Sequence, residues 1–181
     1  MPSPIAHSMI AVSIYSLLNR HISFKDLFLR NNRIKILFIC LLSICPDIDF
    51  LIVFITGNEL IHGGFTHSIT FAIIVCFLLR IIKFNILTSN LCFLIVLSHT
   101  LLDMCTINGY YPGTKELFWP FTSTRYSFNE YLGLFNSLDW ANKELFYSVK
   151  TIYSMFWEFI ISSFFVLTVV LARFLLSIKS K

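Results

Sequence analysis

The sequence predicts an all-α, polytopic membrane protein: a transmembrane helical bundle of about four spans plus a short N-terminal helix. Hydrophobic residues make up 56% of the 181-residue chain and charged residues 13%, which is more apolar surface than a soluble domain of this size can bury. Twenty Phe with only 6 Gly and 5 Pro favour continuous helices over a membrane β-barrel. We therefore expect a single membrane-embedded domain, residues 1–181, in contact with the lipid bilayer.

Four apolar stretches approach the roughly 20 residues that a helix needs to cross the hydrocarbon layer. In order, they are residues 34–56, 69–87, 91–106 and 152–178. The fourth is the clearest, because 159–171 contains no charge. A further stretch, 5–18, is short for a span, so this helix is predicted to be re-entrant or enclosed by the bundle.

Lys and Arg cluster at the ends of these stretches, which predicts the orientation of the chain. The clusters are Arg20, Lys25, Arg30, Arg33 and Lys35 before the first long span, Arg80 and Lys83 after the second, and Arg173, Lys179 and Lys181 at the end. Placing all three in the cytoplasm gives a multi-pass protein with a cytoplasmic C-terminus. No basic run is interleaved with aromatics on a soluble face, so nucleic acid is not an expected partner.

This orientation leaves two connections, 57–68 and 107–150, on the outer side of the membrane. The second mixes both signs of charge with the aromatics Tyr110, Tyr111, Trp119, Tyr126, Tyr131 and Trp140. Such a composition is typical of chain that lies among lipid headgroups. We predict that 107–150 is an aromatic-rich interfacial segment of the same domain.

Two aspartates interrupt the first long span, in Cys45-Pro46-Asp47-Ile48-Asp49. An ionised Asp near the bilayer centre costs roughly 2.5–3.5 kcal/mol on insertion scales, so each needs a partner. A structural alternative is a helix break in which Pro46 starts a half-helix and the carboxylates meet its positive N-terminus. Residues two apart on a regular helix point to opposite sides, so we expect one of the two aspartates to be a metal or substrate ligand, and we favour Asp47.

Two histidines flank a glycine pair in His62-Gly63-Gly64-Phe65-Thr66-His67-Ser68. The glycines disfavour helix, while Thr66 is a good N-cap for a helix that begins at His67. The helix dipole would then keep His67 neutral and able to bind metal. Either histidine alone would be an ordinary loop residue, but the pair near two aspartates indicates a site.

A third polar motif, Ser98-His99-Thr100-Leu101-Leu102-Asp103, lies in an otherwise apolar helix. His99 and Asp103 are four residues apart, so they share one face and can hold one ion, or form a buried hydrogen-bonded pair. His7 in the first helix is the weakest candidate of the set, because a single histidine at the start of a helix has many structural explanations.

The predicted topology allows these groups to converge in one half of the bilayer. Imidazoles and carboxylates without thiolates favour Zn²⁺, and less specifically Mn²⁺ or Fe²⁺. One or more such ions would activate water, with a spare carboxylate such as Asp49 as proton acceptor, and two ions bridged by an Asp would suit phosphoester cleavage.

Five motifs in this order resemble the YdjM-like family of inner-membrane metal-dependent hydrolases. They are Pro4-Ile5-Ala6-His7, Pro46-Asp47-Ile48-Asp49, His62 to Ser68, Ser98 to Asp103, and Leu117-Phe118-Trp119-Pro120-Phe121, and the resemblance covers about residues 1–121. Each motif is weak alone, but their shared order makes chance agreement improbable. The family is itself distantly similar to zinc-dependent phospholipases C.

By position, the resemblance implies that the metal ligands are His7, Asp47, His67, His99 and Asp103. It implies that His62 and Asp49 are catalytic or orient the ligands. This chain departs from the family at Gly63, where the family usually has an Arg suited to a phosphate or carboxylate.

The leading hypothesis is a hydrolase of the inner (plasma) membrane that acts on a phosphoester or lipid-like substrate by metal-activated water. One alternative is an ion- or proton-coupled transporter. A transport path would need polar residues across the whole membrane, but the cytoplasmic half of the predicted bundle has few apart from basic loop residues. The other is a non-catalytic membrane protein with a structural metal, which Gly63 favours.

Overall fold

A computed structural model describes residues 2–18, 31–58, 61–107, 114–136 and 148–179. The described chain is predominantly helical. Its α-helices are α1 (Pro4–Leu18), α2 (Asn32–Ser43), α3 (Asp49–Thr56), α4 (Ile69–Ile81), α5 (Ile86–Met104), α6 (Asn129–Leu132) and α7 (Val149–Lys179). Short 3-10 turns cover Cys45–Ile48 and Phe65–His67, and the strands β1 (Thr106–Ile107) and β2 (Phe135–Asn136) pair in parallel.

The centre of the bundle is α5, which packs against α1, α2 and α4. Its apolar face contributes Leu91, Cys92, Ile95 and Val96 to the core, where they meet Ala11, Ile39 and Ala72 of the neighbouring helices. Small residues on α1 and α4 let these helices approach closely, as is common where helices pack in membranes. The polar end of α5 is thereby enclosed on several sides.

A break at Pro46 divides the first predicted span into α2 and α3, which meet at 58°. Pro46 lacks an N–H and so cannot continue the hydrogen bonding of α2, and the chain passes through a 3-10 turn before α3 begins at Asp49. The helix break anticipated from the sequence is present. It also brings Asp47 and Asp49 to the same side, which a regular helix would not do.

The boundary between the second and third predicted spans was misplaced. Helix α4 ends at Ile81, and Lys83 turns the chain with a φ of 69°. The side chain of Asn85 then accepts a hydrogen bond from Thr88 N and caps α5, which begins at Ile86. The Asn85 N-cap, a signal present in the sequence, shortens α4 and lengthens α5.

In the described chain, α5 and α7 are long and apolar enough to cross a membrane, and the bent α2–α3 pair would make a third span. About four spans were expected, so the number is corrected to two or three. Helix α4 has 13 residues and would extend about 20 Å, less than the roughly 30 Å hydrocarbon layer.

Helix α7 packs on α1 and presents most of its surface outward. Only 6% of the most apolar stretch of α7 is buried inside the protein, compared with 50% of the corresponding stretch of α5. Phe164 and Phe174 are 69% and 61% exposed, as expected of side chains that face lipid. Its buried stripe is polar and comprises Thr151, Ser154, Glu158 and Ser162.

The segment after α5 folds back over the end of the bundle. Lys115 and Tyr126 form a backbone bridge, while Leu117 O accepts a hydrogen bond from Ile69 N at the start of α4. Thr70 donates to Trp119 O, which fixes the aromatic Trp119–Pro120 turn. Tyr110, Tyr111 and Trp140 lie outside the described residues, as do Arg20, Lys25 and Arg30, so the interfacial position of 107–150 stays a prediction.

Candidate metal centre

The structure brings together all the side chains singled out in the sequence. They are His7 of α1, Asp47 of the first 3-10 turn, Asp49 of α3, His62, His67, and His99 with Asp103 of α5. Every one except Asp47, whose side chain is 17% exposed, is buried. Their convergence is thus observed, whereas their separate roles stay predictions.

On one side of the cluster, which we call the α1–α5 side, His7 and His99 stack with ring centroids 3.9 Å apart. The Nε2 atom of His7 lies 3.4 Å from Asp103 Oδ1, and neither ring nitrogen of His7 has a hydrogen-bond partner in the described structure. Burying an imidazole without a partner is costly. The described residues around His7 therefore leave its ring nitrogens without the hydrogen bonds that a buried imidazole requires.

His99 has its tautomer fixed by the backbone. Its Nδ1 lies 2.7 Å from the carbonyl oxygen of Ser43, which can only accept, so Nδ1 carries the proton. The lone pair of Nε2 then faces the cluster, 3.3 Å from Asp47 Oδ1 and 3.3 Å from His67 Nε2. A histidine held in this way through its other nitrogen is typical of a metal ligand.

Asp47 completes this side from the 3-10 turn that follows Ser43. Its Oδ1 atom is buried without a hydrogen bond among the described residues, although it lies 3.6 Å from His67 Nε2. Oδ2 of Asp103 lies 3.3 Å from the same nitrogen. Two carboxylates and two imidazoles thus point at a common volume with few of their hydrogen-bonding needs met.

The opposite side, which we call the Asp49 side, is well bonded. His62 Nδ1 lies 2.9 Å from Asp49 Oδ1, while Gly63 N and Thr66 Oγ1 donate to Asp49 Oδ2 over 3.2 and 2.8 Å. His67 Nδ1 is 3.3 Å from the same oxygen. Because both oxygens are engaged, Asp49 is placed to orient His62 and His67.

Local structure around His67 differs from the prediction. Thr66 was expected to cap a helix that begins at His67, but Phe65–His67 forms a 3-10 turn and Ser68 caps α4 by accepting from Phe71 N. The hydroxyl of Thr66 bonds to Asp49 instead. The electrostatic environment of the His67 imidazole is therefore determined by the surrounding aspartates rather than by a helix dipole.

Lys115 is the functional candidate that the sequence did not reveal. Its side chain is 2% exposed, and Nζ lies 2.8 Å from Asp103 Oδ2 and 3.0 Å from His62 Nε2. In the sequence it is one charge of a mixed segment, and no local pattern marks it. Its stem passes over Gly63, where an added Cβ would lie 3.0 Å from Lys115 Cδ.

Glu158 was also overlooked, although a lone acid within an apolar span is itself a signal. It is 1% exposed, and its Oε2 accepts a hydrogen bond from Ser3 N over 2.8 Å. Ser3 in turn caps the start of α1 by accepting from Ala6 N. Glu158 thus ties α7 to the helix that carries His7.

Electrostatics differ between the two loop histidines. Burial and the nearby Lys115 ammonium lower the pKa of His62 to about 4, so this ring is neutral at pH 7. For His67, burial and Lys115 also oppose protonation, but the neighbouring carboxylates of Asp103, Asp47 and Asp49 outweigh them and raise its pKa to about 9. The carboxylates around His67 therefore attract a positive charge, which a proton or a metal ion can supply.

The donor atoms fit a divalent cation in two overlapping groups. One comprises Asp47, His62, His67 and Asp103, the other His7, His99 and Asp103, and within each group the donor atoms lie within 4.8 Å of one another. Nitrogen and carboxylate donors suit Zn²⁺, Mn²⁺ or Fe²⁺. Asp103 belongs to both groups, and the unbonded atoms of His7 and Asp47 are those that an ion would satisfy.

An apolar cavity of about 600 Å³ opens beside Asp47. Its walls include Pro4, Leu41, Ile48 and Phe50, and Asp47 is its charged lining residue. The cavity therefore connects a lipid-compatible space with one edge of the cluster.

Apolar helices of spanning length around a buried His/Asp cluster define a polytopic membrane protein with a candidate cation site. The chain belongs to the YdjM inner membrane protein family, which it matches over residues 1–177. This match confirms the resemblance indicated by the motifs and extends it well past residue 121. No curated protein and no solved structure matches the chain.

Proposed function

We propose that this protein is a membrane-bound metal-dependent hydrolase that acts on a phosphoester or lipid-like substrate. The observation that carries the proposal is the convergence of buried, unbonded donor atoms of His7 and Asp47 on His99 and Asp103. Burying so many ionisable groups in a membrane protein costs free energy, and such groups mark functional sites. Zn²⁺ is the ion that this set of donors favours.

In this proposal His7, His99, Asp103 and Asp47 hold the ion, with His67 as a further ligand. When bound, the ion would lower the pKa of a coordinated water and polarise the scissile bond. The tautomer of His99 is set by Ser43 O, which keeps Nε2 directed at the cluster, where it could bind an ion.

Proton transfer is assigned to the pair of His62 and Asp49. The sequence suggests Asp49 as the proton acceptor itself, but three donors occupy its oxygens. Asp49 accepts a hydrogen bond from His62 Nδ1, and Nε2 of this neutral ring lies 3.0 Å from Lys115 Nζ. We assign His62 as the proton acceptor, which requires that Nε2 exchange its contact with Lys115 Nζ for the reacting water, and Asp49 orients the ring.

A lipid-like substrate is supported by the cavity beside Asp47. Its apolar walls suit an acyl or alkyl chain, and its charged edge would place the polar part of such a molecule next to the ion. The suggested similarity to zinc-dependent phospholipases C agrees with this substrate class. The distribution of Lys and Arg supports a cytoplasmic C-terminus.

Metal analysis of the detergent-purified protein tests the proposal. We expect wild type to retain a divalent metal through chelator-free purification, and Asp47→Ala and His99→Ala to lose it. Glu130→Ala, an exposed carboxylate away from the cluster, is the matched control. Absence of metal from wild type, even after reconstitution, would contradict the proposal and favour a transporter.

Hydrolysis assays then separate an enzyme from a protein with a structural metal. Phosphodiester and phospholipid substrates should be cleaved by metal-loaded wild type, with Leu41→Trp impairing long-chain substrates more than short ones because it fills the cavity. Leu37→Trp, on the outer surface of the same helix, serves as its control. Metal retention without any hydrolysis would support the structural alternative.

A further inference from the structure

Lys115 enters the cluster along a fixed path. Its backbone forms both hydrogen bonds of the bridge with Tyr126, each 2.9 Å long, and the next residue, Glu116, donates its N–H to Gly63 O. The side chain then crosses Gly63 and ends between Asp103 and His62. A lysine held at its backbone in this way delivers its ammonium to a defined point.

Gly63 leaves the space that this path requires. A Cβ at Gly63 would lie 3.0 Å from Lys115 Cδ and 3.1 Å from the carbonyl oxygen of Thr114, closer than ordinary contact. Gly63 also has a φ of 83°, a conformation that disfavours side chains. The absence of a side chain at residue 63 and the presence of the lysine are thus coupled.

The ammonium occupies one of the two donor groups. Asp103 and His62 belong to the group formed with Asp47 and His67, and Lys115 Nζ lies within hydrogen-bonding distance of both. Nδ1 of His62 is already engaged with Asp49, so Nε2 is the atom it would offer to an ion. An ion bound there through His62 would have to displace the ammonium.

Charge balance supports the same conclusion. The cluster contains three carboxylates, and with neutral imidazoles they balance Lys115 together with one divalent ion. A second divalent ion beside the lysine would leave an excess charge of about +2 in a buried site, which low-dielectric surroundings strongly disfavour. Other described charged residues near this segment, Glu116 and Arg125, pair with each other.

We propose that the ammonium of Lys115 takes the place of a second divalent cation, so that the site holds a single metal ion on its α1–α5 side. The proposal rests on the proposed function only in requiring that the cluster binds metal. It distinguishes this protein from a two-metal hydrolase, in which two ions share the work of stabilising the attacking and leaving oxygens. Here a lysine supplies one of those positive charges.

Metal stoichiometry provides the test. Detergent-purified protein is stripped with chelator and titrated with Zn²⁺, and bound metal per chain is measured after gel filtration. Wild type should saturate at one equivalent, Lys115→Met at two, and Lys115→Arg at one because it keeps the charge. Lys150→Met, an exposed lysine at the start of α7, should behave as wild type.

Two equivalents in wild type, or one in a folded Lys115→Met, would overturn the proposal while leaving a metal-binding protein. No bound metal in wild type would instead overturn the proposed function. If Lys115→Met does not fold, electron paramagnetic resonance of Mn²⁺-loaded wild type decides. The six-line signal of an isolated ion supports the proposal, and the spectrum of a spin-coupled pair contradicts it.

Discussion

The α1–α5 side and the Asp49 side of the cluster contain the same kinds of residue but differ in how their polar atoms are satisfied. On the α1–α5 side, His7 and Asp47 have donor atoms without hydrogen bonds. On the Asp49 side, His62 is bonded through Asp49 and Lys115. The difference shows that residue type alone does not distinguish the two sides, since only the α1–α5 side has buried atoms of His7 and Asp47 without hydrogen bonds that an ion could satisfy.

Asp103 belongs to both groups of possible metal donors, so its removal should have the largest effect. We expect Asp103→Asn to abolish metal retention and to destabilise the protein by about 3–5 kcal/mol, because it leaves the buried Lys115 without its ion pair. Metal content and thermal unfolding in detergent measure the two effects. Adding Lys115→Met should restore much of the stability without the metal, and a double variant no more stable than Asp103→Asn would contradict the ion-pair explanation.

The two sides are distinguished most directly by one histidine from each. His7→Ala should weaken metal binding by more than the roughly 10–100-fold typical of residues that only orient ligands. His62→Ala should leave metal content near that of wild type while lowering kcat by about 10²–10⁴-fold, as expected for loss of a proton acceptor. Zn²⁺ titrations and substrate turnover measure both, and equal losses of metal in the two variants would remove the distinction.

Metal affinity should depend on pH through His67. In the metal-free site its pKa of about 9 keeps the ring protonated at pH 7, so binding must release that proton. Affinity should therefore rise as pH increases toward 9, by about tenfold per unit where a single proton is displaced. Calorimetry in buffers of different ionisation enthalpy counts the proton, and binding without proton release at pH 7 would argue against His67 as a ligand.

The smallest effect is expected from Thr66, which donates a hydrogen bond to Asp49 and is not one of the proposed metal ligands. Thr66→Val removes that hydrogen bond at nearly constant volume and should lower activity by about 10-fold, at the weaker end of the effect of orienting residues. Thr66→Ser keeps the hydroxyl and should retain activity. If the two variants lose activity equally, the hydrogen bond to Asp49 is not what matters at this position.

Local sequence signals were sufficient for several parts of the fold. Pro46 predicted the helix break, and the long uncharged run after residue 158 predicted α7. The division between α4 and α5 was missed because hydropathy is similar on both sides of Asn85, and only its capping role ends one helix and starts another. The expectation of four spans failed for the same reason, because the apolar stretch 69–87 is longer than α4, which ends at Ile81.

For the candidate site, the sequence motifs predicted which residues meet. They did not predict which of these residues form the hydrogen-bonded Asp49 side and which form the α1–α5 side. His99 and Asp103 share a helix face by their spacing, so their proximity follows from the sequence. The position of Lys115 depends on contacts between residues 53 apart, which no periodicity encodes. The bond between Ser3 and Glu158 joins residues 155 apart and was equally invisible.

The sequence by itself determined that this chain belongs in a membrane and that it carries imidazoles and carboxylates there, because composition and the cost of buried charge are properties of the residues. Only the tertiary structure decided which of those groups are satisfied by one another and which are not. Hydrogen bonds are directional and short, so helix packing, the break at Pro46 and the path of Lys115 over Gly63 determine the partner of each atom.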